Sequence, residues 1–478
     1  MRSVLWARFF ALGCAVWTCG SLYAGALADA WALKARLEGS VPARGLFRLD
    51  GRDERYGCAL IPGKKGLFDG VLSFTDGTRT VRFSGFSASV HGCDVAGQKV
   101  RFETVSTASD EKTLTLRHEL GVAGLEGVVT VEARVWAEEG VLRVQVLADR
   151  GLRISNLAVG PANEKLLRVY AGTGFVIERP LDFTLGAWDN VLTRHVGADY
   201  VNGLSVVQAV EAGPDRVMCR ADRNLFAVVS PCGGICSFVP SSKGACAAAR
   251  RFADVSGYAA SASEKAVIGK MAFSVRGCSW AEGMTNRQSF AASGRTDFSL
   301  VHGPDSGAGL GAFFEVNSVQ PFNWFKKGVH GEDVARVPWL DLVSHGVRVV
   351  AGNGRTNHYG EDEYLCATVM GGRSPLCDLS QPDCCRYVYD FLHDIMRDFA
   401  HESLESVTFG PSIHQIHVVF SGGCDVWVNT SSETCWQTPG WKLPPNGFFA
   451  KSPKHESGIV LWGGCRIRFS EKRVYNLL

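Results

Sequence analysis

The sequence predicts a mainly β protein in three parts: a large N-terminal β-supersandwich, an incomplete α/β segment with the look of a barrel remnant, and a small C-terminal β-sandwich. Three observations carry this reading. From Trp31 to about Arg295, apolar and polar residues alternate with period two between turn signals. From Ala312 to about Glu405, short apolar runs and a helical stretch replace that alternation. After Val407 the period of two returns. The middle part is far shorter than the roughly 250 residues a closed (β/α)₈ barrel takes.

The elements follow in order. Residues 1–28 read as a signal peptide: Arg2 and Arg8 give a positive start, Phe9 to Thr18 an apolar core, and Ala26-Leu-Ala28 a cleavage site ahead of Asp29. The expectation is a secreted or periplasmic protein, with attachment at the cell surface left open. Residues 29–295 form the supersandwich. Val71 to Phe83 is a hairpin about Asp76-Gly77. Val129, Val131, Ala133 and Val135 share one face of a strand, and Thr130, Glu132 and Arg134 the other. Glu138-Glu139-Gly140 turns the chain into Val141–Val146, and Ala266–Val275 is the last strand. Residues 296–311, with Gly303, Gly307, Gly309 and Gly311, form a glycine-rich linker; no helix pattern follows to make it a dinucleotide fingerprint.

Residues 312–405 hold Ala312-Phe-Phe-Glu315-Val, two candidate buried strands at Trp339–Val343 and Val347–Ala351, and a helix from Cys384 to His401. In that helix Val388, Phe391, Leu392, Ile395 and Phe399 line one face. Residues 406–478 hold hairpins at Ile413–Asn429 and Ile459–Phe469.

Composition narrows the function classes. With 46% hydrophobic and 21% charged residues the chain is not of the disordered class. Net charge is +2 with no Lys/Arg block, which argues against nucleic acid as a partner. No later segment has the apolar length of a transmembrane helix. Among sixteen cysteines, Cys232-x-x-x-Cys236 and Cys384-Cys385 lack a matching second pair, so no zinc, other metal or cofactor is expected. Local bridges such as Cys232–Cys236 or Cys424–Cys435 stand beside free buried thiols as equal alternatives.

The run Val426-Trp-Val-Asn429, followed by Trp441-x-Leu443-Pro-Pro-x-Gly447-Phe448-x-Ala450, resembles the C-terminal β domain of secreted bacterial glycoside-hydrolase-like proteins related to the endo-α-N-acetylgalactosaminidases. Val337 to Gly346 resembles a late barrel strand of that group, and Gly372-Arg-Ser-Pro375 with the helix after it resembles the barrel's end. The resemblance spans roughly 312–450 by motif and 31–295 by architecture alone. It implies a galactose-mutarotase-like supersandwich, a barrel, a carbohydrate (glycan or polysaccharide) partner and polysaccharide degradation. The group carries its paired carboxylates on middle barrel strands, which here would precede Ala312, where only the linker stands. The catalytic pair is therefore not carried over. The resemblance implies activity that is absent or impaired unless a second chain completes the barrel.

Candidate chemistry then rests on the residues themselves. Glu315 ends an apolar run where a barrel strand would present a catalytic acid, and Asp341 follows on the next candidate strand. Trp324, Trp339, His345 and Tyr359 are candidates to hold a sugar. For each, core packing or a structural ion pair is the alternative. Glu361-Asp362-Glu363 reads as a solvated acidic loop, Trp436 and Trp441 as pins of the C-terminal domain, and Asn429-Thr-Ser431 as a glycosylation sequon. The expected function is a secreted glycoside-hydrolase-like protein associated with extracellular glycan degradation, inactive or impaired; the alternative is a non-catalytic carbohydrate-binding or cell-surface protein.

Overall fold

The computed structural model describes residues 45–51, 53–63, 66–90, 93–94, 100–105, 113–121, 126–149, 154–171, 174–178, 183–184, 195–211, 218–222, 225–229, 234–257, 259–260, 262–275, 277–300, 313–317, 333–345, 349–353, 361–471 and 473–475. The protein is mainly β, as expected, and divides into two compact units, 1–169 with 180–248 and 170–179 with 249–478.

The first unit is antiparallel. Gly45–Asp50, Arg55–Gly63, Gly66–Thr75 and Thr80–Ser84 form one meander. In the larger sheet His195–Tyr200, Ser205–Val210, Ile235–Ser241, Val141–Ala148, Val128–Glu138, Thr113–Gly121 and Val100–Val105 lie side by side in that order. Period two works as it should: Val129, Val131, Ala133 and Val135 are all 0% exposed, so that face is core and the other is wet. The two sheets meet through aromatics, with Phe74 stacked on Phe238 at 6.2 Å and Phe83 edge-on to Tyr200 at 6.0 Å. The hairpin turns at Asp76, whose Oδ1 accepts from the N–H groups of Thr78 (2.9 Å) and Arg79 (2.8 Å).

The second unit is built on a parallel sheet in the order Phe298–Leu300, Met271–Ser274, Ser374–Asp378, Val349–Asn353, Phe313–Asn317. Two sequence readings are corrected here. The Met271–Ser274 run, placed at the end of the supersandwich, pairs in parallel with Phe298–Leu300, inside the stretch read as linker, and with Ser374–Asp378. All four of its residues are buried, and a run buried on both faces has no alternation to reveal its sheet. Trp339–Val343 is not a strand: Asp341–Ser344 is a short helix, begun by the bond from Leu342 N–H to Pro338 O at 3.1 Å. Every residue from Val334 to Ser344 is buried, so periodicity cannot separate helix from strand.

The helix near 384–401 runs Pro382–Phe399, two residues earlier than read, because Pro382 sits at its start where a missing N–H costs nothing. Its buried stripe, Cys385, Val388, Phe391, Leu392, Ile395 and Phe399, includes every apolar position that the pattern marked. It packs on one face of the nine-stranded antiparallel C-terminal sheet, with Phe391 6.0 Å from Phe448. Ile416, Val418, Val426, Val428 and Ala450 are 0% exposed. A satellite cluster of Leu443, Phe449 and Val460 is covered by Trp427, Trp436 and Trp441, so those tryptophans do pin the domain. Among the described residues no helix is long and apolar enough to cross a membrane.

Candidate functional site

Asp341 opens the short helix, and both its oxygens are taken by Arg373: Nε donates to Oδ1 at 2.7 Å and Nη2 to Oδ2. The side chains are 2% and 5% exposed. A bidentate fork of this kind orients a carboxylate rigidly. Gly371 and Gly372 make room for it. A Cβ on Gly371 would lie 2.5 Å from Asp341 Oδ2, and one on Gly372, already at φ +62, would lie 2.8 Å from His345 Nε2. His345 packs edge-on to Phe420 at 5.1 Å, and its Nε2 is sealed from water without a hydrogen bond. Burial pushes its pKa down to about 4; Asp341 opposes that shift while Arg373 and Arg250 add to it.

Trp339 is 0% exposed and stacks on Tyr170 at 5.1 Å, inside the core rather than on a cleft wall. Glu315 lies at the centre of the Phe313–Asn317 strand, opposite Ala351 of its parallel neighbour. Trp324 and Tyr359 lie outside the described residues. The structure thus gathers Asp341 and His345 around Arg373 and puts Trp339 in a separate packing role.

Parallel sheets bind ligands beyond the carboxyl ends of their strands. At that rim Asp378 is spoken for. Its oxygens accept from Ser274 Oγ, from Gly277 N–H (3.1 Å) and from Ser380 N–H (2.9 Å). Burial raises its pKa, and these bonds more than offset the rise, so the carboxyl sits below its ordinary value and stays ionised. It ties together the loops after two strands. Beside it Cys385 Sγ donates to the Asp378 carbonyl at 3.2 Å.

A small open pocket of mixed lining lies elsewhere in this unit, with a volume of about 40 Å³. Arg336 of the Val334–Arg336 strand, Glu363 of the Asp362–Val369 helix, and His414, Thr430 and Asn446 from C-terminal loops wall it; Val334, Ala335, Cys366 and Ala367 supply its apolar surface. None of the five polar residues was nominated from sequence. The signal for part of the site was nonetheless present, in the motif that carries the family resemblance. Pro444-Pro445-Asn446-Gly447 is a turn closed by Gly447 N–H to Pro444 O at 3.0 Å, with Asn446 at φ +50. Asn429 is 0% exposed and donates to Thr434 O (2.6 Å) and Pro444 O (2.9 Å), clamping that turn to the 430–434 loop. Thr430 N–H donates to His414 O at 2.8 Å. The motif is a frame that aims Thr430, His414 and Asn446.

On the helix side, the acidic triplet opens a helix rather than a loop, with Glu361 and Glu363 exposed as the solvated reading expects. Glu361 precedes the helix, Asp362 in its first turn pairs with Arg466 and Arg468, and Glu363 reaches the pocket. Arg336 lies 5.2 Å from the Phe175 ring centroid as a cation–π contact. His417 is remote in role from His414: its Nε2–H donates to Asp425 Oδ1 at 2.9 Å, and its ring stacks on Trp427 at 4.4 Å. Among the described residues no group of three His, Cys, Asp or Glu side chains has metal-holding geometry. Cys424 and Cys435 are both free thiols, and Cys232 lies outside the described residues.

No protein-family model matches the sequence, and no curated protein matches it. Solved structures do. The alpha-N-acetylgalactosaminidase NagBb from Bifidobacterium bifidum, as a quadruple mutant, aligns with TM-score 0.52 at 10% identity over 80% of this chain and 98% of that one. Its GalNAc complex gives 0.48 at the same identity and coverage. A GH36 alpha-galactosidase, AgaA from Geobacillus stearothermophilus in complex with raffinose, gives 0.45 at 9% identity over 89% and 99%. The first alignment defines a glycoside-hydrolase-like fold. At 10% identity the shared property is the fold itself.

Proposed function

We propose that the protein is a secreted glycoside-hydrolase-like protein that recognises extracellular glycans and hydrolyses them poorly or not at all. The observation that carries this is the Asp341–Arg373 lock. Glycoside hydrolysis needs two carboxyl groups across one bond, roughly 5–5.5 Å apart for retention and about 6.5–9.5 Å for inversion, with one of them protonated near neutral pH. Asp341 has both oxygens committed to a guanidinium and 2% of its side chain exposed, which suits neither role. Asp378 at the sheet rim is committed to loop hydrogen bonds. Five parallel strands among the described residues are consistent with a shortened barrel. The alignment with NagBb supports descent from a glycan-processing ancestor, and residues 1–28 support export.

The test is turnover of a panel of aryl α- and β-glycosides, N-acetylgalactosaminides included, by the chain from residue 29 onward. Wild type and Glu315→Gln should release no more product than buffer. Glycan-array binding by the wild type should remain. Hydrolysis that vanishes in Glu315→Gln would overturn the non-hydrolytic reading.

A further inference from the structure

We propose that His393 is a proton-operated clasp. With its ring charged it holds the segment leading into the Phe298–Leu300 edge strand against the Pro382–Phe399 helix, and with its ring neutral it lets that segment go.

Both ring nitrogens face a carboxylate. His393 lies among the buried residues of its helix, with 9% of its side chain exposed. Its Nδ1 is 2.9 Å from Asp394 Oδ1 and its Nε2 is 3.1 Å from Asp297 Oδ2. An ionised carboxylate only accepts, and a neutral imidazole has one N–H for its two nitrogens. Both contacts are hydrogen bonds only when both nitrogens carry hydrogen, which makes the ring a cation. Removal of one proton turns a nitrogen lone pair toward a carboxylate oxygen. The Asp297 contact is the one that gives way. It is the longer, and Asp297 comes from a segment 96 positions away, whereas Asp394 is the next residue on the same helix.

The neighbours leave the switching to this ring. From its own helix it faces Asp394 and Tyr389, whose ring stacks on it at 4.4 Å. From the facing segment come Asp297 and Arg295, and Arg295 grips Asp390 through Nε (2.7 Å) and Nη2 (2.6 Å). Arg473 adds to Asp390 at 3.6 Å. The Trp280–Ala292 helix contributes the uncharged Phe290, 5.4 Å from Tyr389. Burial raises the Tyr389 pKa, so the phenol stays neutral, and arginine keeps its charge throughout. Imidazole is the side chain whose charge ordinarily changes between about pH 5 and 8. The clasp is therefore closed in acid and opens as pH rises through that range. What it seats is the sheet edge: Met271 N–H donates to Asp297 O at 3.2 Å, and Phe298 packs on Phe273 at 5.0 Å and Phe290 at 5.3 Å.

The experiment follows amide hydrogen exchange in the chain from residue 29 onward between about pH 5 and 8, each rate normalised to an unstructured peptide at the same pH. Met271 and Phe298 to Leu300 are the reporters, and Ile416 and Val418 the controls. In wild type, reporter protection should fall about tenfold across the window, as expected for loss of a charge-assisted bond, while the controls stay level. His393→Gln, with no titrating ring, should give a flat profile. Asp297→Asn should also be flat, because an asparagine amide accepts from the charged ring and donates to the neutral one; this variant carries the test if His393→Gln does not fold. A level wild-type profile, a fall shared by the controls, or an undiminished fall in either folded variant would overturn the clasp.

Discussion

Asp341 illustrates how far a residue's role departs from its appearance in sequence. A carboxylate near a histidine invites a catalytic reading, but its partner Arg373 lies 32 positions away. The buried pair gives a direct prediction. Removing one partner strands the other's charge, so Asp341→Asn or Arg373→Ala should cost about 3–5 kcal/mol in urea unfolding. Replacing both with apolar residues should cost less than either single change.

His345 gives a second prediction. In the unfolded chain it titrates near the ordinary value of about 6.5, but in the folded protein only near about 4. Between those values the unfolded state binds more protons. Its contribution is therefore complete above pH 6.5 and lost as pH falls toward 4, by up to about 3 kcal/mol. Denaturation midpoints at pH 7 and 4.5 should converge in His345→Phe; an unchanged pH slope in that variant would refute the assignment.

At the scale of elements, the C-terminal motif is a hydrogen-bonded frame. Asn429→Ala removes the buried donor to the carbonyls of Thr434 and Pro444, and each hydrogen bond lost is worth about 0.5–1.5 kcal/mol. The variant should lose stability and show faster amide exchange across residues 430–434. The same burial predicts that Asn429, a formal sequon, stays unmodified in a glycosylating host, which intact-mass measurement checks. Antiparallel strands were legible because one buried and one wet face imprint alternation, as at Val129 to Val135. The Pro382–Phe399 helix was legible because its apolar stripe repeats every three to four residues. Met271–Ser274 and Leu340–Ser344 were not, since total burial erases either period.

Across the whole molecule, thiol reactivity reports which parts are closed. Burial raises the pKa of Cys58, Cys246, Cys366 and Cys377 well above the ordinary thiol value, so these stay protonated and unreactive. Cys435 and Cys465 are exposed. Maleimide labelling of the native protein should mark the exposed pair first and reach the buried four only in denaturant. Early labelling of Cys58 or Cys377 would mean that the core is not closed as described.

The amino-acid order by itself determined the mainly β class, the hairpins, the amphipathic helix and the family likeness, because each is written in neighbours a few positions apart. Tertiary structure decided which acids are locked and which side chains share a pocket. Asp341 meets Arg373, and Glu363 and Asn446 come to line one pocket, only after distant segments pack, and burial and charge pairing belong to that packing rather than to any local run of residues.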